Sequence, residues 1–184
     1  MKFIMKQKKI VLVIFVVLLI AWNVFLFFTD LETLVVTIGL NNVYLILFFV
    51  ALTSGTSFLT SAAFYAMFTS YVAMGSDPIM IAVIGGVGMA FGDSIYFLFS
   101  KNVSDTLSEN KLYKKVYDLL NHLPQWGVYI FTYFYTSFSP MPNDILMLAL
   151  GMMKYRFRYI LPIVILGNIT LLLLVAYGID IIFF

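Results

Sequence analysis

The chain has 184 residues, none of them cysteine and only one histidine. Disulfides, cysteine nucleophiles and thiolate metal sites are therefore excluded, and nothing marks the redox compartment. Charge is nearly as scarce. Asp, Glu, Lys and Arg together make up 11% of the residues, against about 25% in an ordinary soluble domain. No HExxH and no phosphate-cradling glycine loop occurs, and no arginine falls inside an apolar stretch. Two isolated acids, Asp93 and Asp144, are a poor basis for hydrolysis. The reading is a protein that is not an enzyme, with no catalytic residues, metal or cofactor.

What is abundant is apolar surface. Hydrophobic residues are 62% of the chain and the mean hydropathy is +1.01, which marks a polytopic membrane protein. The net charge of +2 forms no separate basic face, so nucleic acid is not an expected partner. Ile10–Phe28 is apolar apart from Asn23, follows four lysines, and leads into Thr29-Asp30-Leu31-Glu32 with no Ala-x-Ala cleavage pattern. It reads as a retained first helix, within an anchor and connecting segment over 1–42.

Four further apolar stretches follow: Val43–Met74, Pro78–Ser100, Trp126–Met153 and Tyr159–Phe184. The polar run Lys101–His122 between them has Leu107, Leu112, Val116, Leu119 and Leu120 at mostly helical spacings, as an amphipathic interfacial helix would. The eleven basic residues fall in three clusters, Lys2–Lys9, Lys101–Lys115 and Lys154–Arg158. Basic residues in short flanks stay on the cytoplasmic side. Five simple crossings would separate the last two clusters. All three share one side if Val43–Met74 and Trp126–Met153 each dip into the membrane and return to the side they entered.

The stretch "SFSPMPNDILM", Ser137 to Met147, supports that reading. Pro140 and Pro142 lack amide hydrogens and push Ser139 and Met141 away from helix. The legs on either side, 126–138 and 143–153, are about 20 Å and about 16 Å long as helix, and neither crosses a core of about 30 Å. Asn143 or Ser139 would cap the returning leg.

The expected fold is an all-α integral membrane protein. It has three full transmembrane helices and two opposed re-entrant hairpins, in inverted repeat units of about 43–100 and 126–181 joined by a linker over 101–125. Aligning Gly75 with Gly151 brings Gly92-Asp93 within one residue of Gly167-Asn168, and Thr56-Ser57-Phe58 echoes Thr136-Ser137-Phe138. Inverted repeats are common in transporters, whose sites lie where broken helices meet.

Acids at membrane depth face an interior or a cavity. Asp144 reads either as a cap on the hairpin tip or as a group facing a translocation path. Asp93 reads either as a partner of broken backbone or as a cavity-lining acid. Gly85, Gly88 and Gly92 permit close helix packing. His122 reads as a plain rim residue.

The segment Ser139 to Asn168, "SPMPNDILMLALGMMKYRFRYILPIVILGN", resembles the second hairpin of DedA-like proteins, also called VTT-domain or SNARE-associated Golgi family proteins. Ala73 to Phe97, with its Gly-Asp pair, is similar to the helix after their first hairpin. The resemblance spans about Val43 to Gly178. It implies two opposed re-entrant hairpins and movement of lipids between leaflets, as with polyprenyl-phosphate carriers, phosphatidylethanolamine or scrambled phospholipids. This chain departs from the pattern in two ways. The first hairpin reads "TSFLTSAAFYAM" where many members carry Pro-x-Pro-acid, and the second hairpin has no arginine.

The expected function is movement of a polar-headgroup lipid, with Asp144, Asn143, Ser139, Asp93, Asn168, Ser57 and Thr60 along the path. Pro140, Pro142, Gly75, Gly151, Gly92 and Gly167 would shape the hairpins. Membrane lipids are the expected partners, in the cell membrane of a prokaryote with the N-terminus cytoplasmic. Proton or ion coupling and homo-oligomerisation stay open. The rival readings are a non-transporting scaffold and a membrane-embedded lipid phosphatase.

Overall fold

The computed structural model describes residues 17, 24, 43–54, 58–107, 111–139 and 143–183, with side chains except at 58, 59, 101–107, 111–113 and 179–183. The anchor expected over 1–42, the Thr56-Ser57 pair and the Pro140-Pro142 turn lie outside this set apart from Val17 and Val24. From Tyr44 onward the chain forms one compact unit, Tyr44–Phe184.

The described residues are all-helical. They form α1 (Val43–Ser54), α2 (Phe58–Ala73), α3 (Pro78–Leu107), α4 (Lys111–His122), α5 (Gln125–Phe138), α6 (Asn143–Met152) and α7 (Phe157–Phe183). Two stretches are long and apolar enough to cross a membrane, Pro78–Ser100 of α3 and Phe157–Gly178 of α7. They differ in setting. The first is 61% buried among its neighbours and the second 33%, so α3 is the central element and α7 flanks it.

α3 starts where the sequence dictates. Asp77 caps it, its Oδ1 accepting the Ile79 amide at 2.9 Å and the Met80 amide at 3.4 Å. Pro78 sits at the first helical position, where a missing amide hydrogen costs nothing. The helix then runs past Ser100 to Leu107, so 101–107 continue α3 rather than starting the surface helix. The amphipathic element is shorter than expected, Lys111–His122. Val116 and Leu120 are buried against α6 while Leu119 faces out. His122 is exposed, and its Nδ1 donates to the Asp118 carbonyl at 2.6 Å.

The contacts fix the directions of α1 to α3 and α5 to α7. Gly86 of α3 lies against Ile169 of α7, and the Phe97 ring packs 5.3 Å from that of Phe157, so α3 and α7 are antiparallel. α5 runs with α7: Tyr129 packs on Tyr159, and Thr136 lies against Gly167. α6 runs with α3, from Asn143 beside Asp93 to Gly151 against Phe97 and Ser100. α5 and α6 are therefore antiparallel legs, and both open toward the Ser100 end of α3. In the first half, Phe48 and Leu52 of α1 meet Gly88 and Gly92 in turn. α2 returns past Gly85 through Phe64. That pair opens toward the Pro78 end. The two pairs approach from opposite ends, and both of their inner ends reach the level of Gly92 and Asp93.

The turns after α2 and α6 match bond for bond. Gly75 and Ser76 donate to the carbonyls of Val72 and Tyr71, and Lys154 and Tyr155 donate to those of Gly151 and Leu150. This is the paired 5→2 and 6→1 pattern that ends a helix on a left-handed residue. That residue is Gly75 (φ 83) in one turn and Lys154 (φ 61) in the other. The structural counterpart of Gly75 is thus Lys154, not Gly151. Gly151 lies inside the last turn of α6, where its role is close contact with α3. Sequence alignment on glycines missed this because the second turn accepts a lysine in the left-handed conformation.

Candidate functional site

Most buried hydroxyls of these helices are bonded within their own helix. Thr132 donates to the Val128 carbonyl at 2.8 Å, Thr136 to Thr132 at 2.9 Å, Ser94 to Ala90 at 2.6 Å and Ser100 to Phe97 at 2.7 Å. Such back-bonding to the preceding turn lets a hydroxyl be buried in apolar surroundings without an outside partner. These residues therefore offer little to a passing ligand.

One cluster is different because it joins three helices. Asn168 of α7 donates through Nδ2 to Asp93 Oδ2 at 3.0 Å. Asn143, the first residue of α6, donates through Nδ2 to the same Oδ2 at 3.1 Å and to Asn168 Oδ1 at 3.2 Å. An amide NH2 has two donors, so that of Asn143 is fully used. Asp93 is 2% exposed and Asn168 is 0% exposed, while Asn143 is half-buried. Among the described residues Asp93 has no basic partner. The two amides offset part of the cost of burying its carboxylate, and bonds to a charged group are worth about 1.5–3 kcal/mol each. The partners of Asp93 are thus side chains of α6 and α7. These are the partners among the described residues; the interrupted backbone at 55–57 and 140–142, one of the two roles expected for Asp93, lies outside them.

Asp144 is the next residue along α6 and is half-buried. It lies near Asp93 and Tyr96 of α3 and Tyr135 of α5. Ser139 is half-buried, donates its amide to the Tyr135 carbonyl at 3.0 Å, and bonds the Tyr135 side chain. Thr60 is buried near the inner end of α2. Ser57, Pro140 and Pro142 lie outside the described residues.

No family model, curated protein or solved structure matches this chain.

Two residues that the sequence reading did not single out complete the picture. Ser137 and Tyr71 are buried, and among the described residues their side-chain oxygens have no hydrogen-bond partner. Ser137 lies two residues before Ser139, near the inner end of α5. A serine in a polar tetrapeptide carries no sequence signal that would set it apart, since its helical neighbours Thr132 and Thr136 satisfy themselves locally.

The glycines at the site act by absence. A Cβ at Gly88 would stand 2.7 Å from the Phe48 carbonyl oxygen. Gly92 is placed the same way against the Leu52 carbonyl, and Gly167 against Thr136. Bare backbone lets the short helices lie directly on α3 and α7, which carries both inner ends to the level of Asp93.

Proposed function

We propose that the chain is a membrane lipid transporter in which α1/α2 and α5/α6 are re-entrant hairpins entering from opposite faces, related as an inverted repeat, with α3 and α7 as spanning helices. The observation that carries the reading is the polar cluster Asp93–Asn143–Asn168. It lies where the inner ends of two interrupted helix pairs meet, within the length of both helices long enough to span. As helices, α5 and α6 are about 21 Å and about 15 Å long, too short for a core of about 30 Å. Backbone that breaks off at that depth is tolerated where it is buried in protein or lines water. A polar seam there lets a headgroup pass while its acyl chains stay in lipid, which lowers the desolvation barrier. Asp144, Ser139, Ser137 and Thr60 line the seam in this reading, Ser57 extends it, and Pro140 and Pro142 shape its turn. The resemblance of Ser139–Asn168 to the second hairpin of DedA-like proteins agrees with lipid cargo of this kind.

The test is lipid exchange between leaflets in liposomes holding the purified protein. Flux above that of protein-free liposomes is expected, with most of it lost in Asp144→Asn and Asp144→Ala alike. Near-normal flux for asparagine alone would leave Asp144 as a helix cap, since asparagine and aspartate cap equally well. Absence of flux in the wild type would defeat the transport reading. Single cysteines at 118 and 155, on a background free of cysteine, should be labelled from the same side, and one at 77 from the other. Labelling of 118 and 155 from opposite sides would remove the second re-entrant hairpin.

A second reading, a non-transporting scaffold, is favoured by the closure of the Asp93 cluster, whose three side chains satisfy one another. It predicts a folded protein with no flux.

A further inference from the structure

The second half of the molecule carries a cleft far from the Asp93 cluster. It is a space of about 620 Å³ lined by Gln125, Trp126, Tyr129, Arg156 and Tyr159. It opens where the first residues of α5 and α7 come together, nine residues along α7 from Asn168, or about 14 Å of helix.

Its chemistry is specific. The Arg156 side chain is exposed and makes no ion pair or hydrogen bond among the described residues. By contrast, the neighbouring Arg158 donates to the Tyr159 hydroxyl at 2.9 Å and stacks 4.7 Å from its ring. Tyr129 packs edge-on to Tyr155 and tilted against Tyr159, and accepts a bond from Gln125 Nε2 at 2.8 Å. α5 begins at Pro124 with no side-chain cap, which adds free backbone amides on the same side.

An apolar track leads away from the cleft. Trp126, Ile130, Phe134 and Phe138 are 68%, 50%, 55% and 57% exposed. Spaced four apart, they form one outward stripe along the full length of α5. Phe134 and Phe138 stack 5.9 Å apart. A free guanidinium at the head of an exposed aromatic stripe fits an amphiphile: an anionic head group at one end and an acyl chain along the other.

We infer that this cleft binds an anionic phospholipid, with the phosphodiester against Arg156 and Gln125, the head group walled by Trp126, Tyr129 and Tyr159, and one acyl chain along Ile130, Phe134 and Phe138. Arginine suits the role because its planar fork pairs with two phosphate oxygens at once. The lipid is held rather than carried. It ties the open ends of α5 and α7 to the membrane surface, apart from the Asp93 level. The inference rests on the membrane setting of the proposed function but not on transport, so a protein without flux can still bind here.

The experiment uses the full chain in phosphatidylcholine nanodiscs, with Trp22→Phe to leave Trp126 as the one tryptophan. Phosphatidylglycerol with brominated chains is added, and quenching of Trp126 reports binding. Saturable quenching is expected, stronger than with brominated phosphatidylcholine. Arg156→Gln should weaken it about tenfold, the equivalent of one charge-assisted contact. Arg156→Lys keeps the charge but loses the fork, and should weaken binding about fivefold. Unchanged binding in Arg156→Lys would reduce the effect to surface charge and overturn the site. Equal quenching by the two lipids would do the same. Relief of quenching by a molar excess of inorganic phosphate would assign the cleft to a soluble anion and overturn the lipid. Flux measured on Arg156→Gln separates the two proposals, because loss of binding with intact flux leaves transport standing.

Discussion

The halves α1–α3 and α5–α7 follow the same plan with different chemistry at matching places. Each has two short antiparallel helices, a turn ending on a left-handed residue, and a long helix. In the first half the inner end is held by bare backbone, with Phe48 and Leu52 carbonyls pressed on Gly88 and Gly92. In the second, close contacts at Gly151 and Gly167 are joined by hydrogen bonds from Asn143 to Asp93 and Asn168. The spacing differs as well. Asp93 lies 18 residues after Gly75, whereas Asn168 lies 14 after Lys154, a difference of about one helical turn. The two halves therefore match in topology without matching in register. Among the described residues the polar bonds of the second half tie its inner end to both long helices, whereas in the first half Ser61 of α2 donates to the Ser54 carbonyl of α1, within the helix pair itself.

The largest effect is expected where the first half has no slack. Gly88→Leu would drive a side chain into the Phe48 carbonyl, and backbone cannot yield as a side chain can. A loss of about 3 kcal/mol is expected from overpacking, read as a lowered unfolding midpoint in detergent. Wild-type stability would show that α1 does not depend on this approach.

Next comes the polar hold of the second half. Asn143→Ala and Asn168→Ala should each cost about 2 kcal/mol, as expected for bonds to a charged group. Because the three side chains share one network, the double variant should lose less than the sum. Hydrogen exchange should quicken in α6 for Asn143→Ala and stay unchanged in α1 and α2. Equal quickening in both halves would show that the cluster holds the whole unit and would blur the contrast drawn between them.

The turns permit a direct exchange test. A left-handed conformation costs a residue with a Cβ about 1–2 kcal/mol. Lys154→Gly should therefore raise stability by about 1 kcal/mol, and Gly75→Lys should lower it by a similar amount. A loss in Lys154→Gly would mean that the lysine side chain stabilises its turn by more than the backbone conformation costs.

The smallest effect on stability is expected at Ser137. Its buried hydroxyl has no partner among the described residues, so Ser137→Ala should change stability by less than about 0.5 kcal/mol or raise it slightly. Under the transport reading the same variant should lower lipid flux. A clear loss of stability would show that the hydroxyl is satisfied in the folded protein.

The sequence made several features legible by local physics. Asp77-Pro78 announces the start of α3, since capping and proline geometry act within one turn. The expected legs 126–138 and 143–153 match α5 (Gln125–Phe138) and α6 (Asn143–Met152) closely, because two prolines in an apolar run limit the helix on either side within a turn. The extension of α3 through 101–107 was hidden, because a polar segment at a helix end looks like a surface element of its own. The turn pairing was hidden too, because Lys154 carries no mark of its positive φ. Asp93, Asn143 and Asn168 were each singled out as polar residues at depth, but separately.

Composition and periodicity by themselves determined the all-helical class of the described residues, the rough limits of α1 to α3 and of α5 to α7, and the scarcity of polar groups that makes each one costly to bury. Those are properties of segments, set by bonds and side chains a few residues apart. Tertiary structure alone decided that Asn143 donates to both Asp93 and Asn168, that Ser137 has no partner among the described residues while Thr136 beside it does, and that Arg156 and Trp126, 30 positions apart, line one cleft. These depend on which helix faces touch and at what height. That is set by the closest approach of backbones at glycines such as Gly88 and Gly167, a sub-ångström matter that no spacing of residues along the chain encodes.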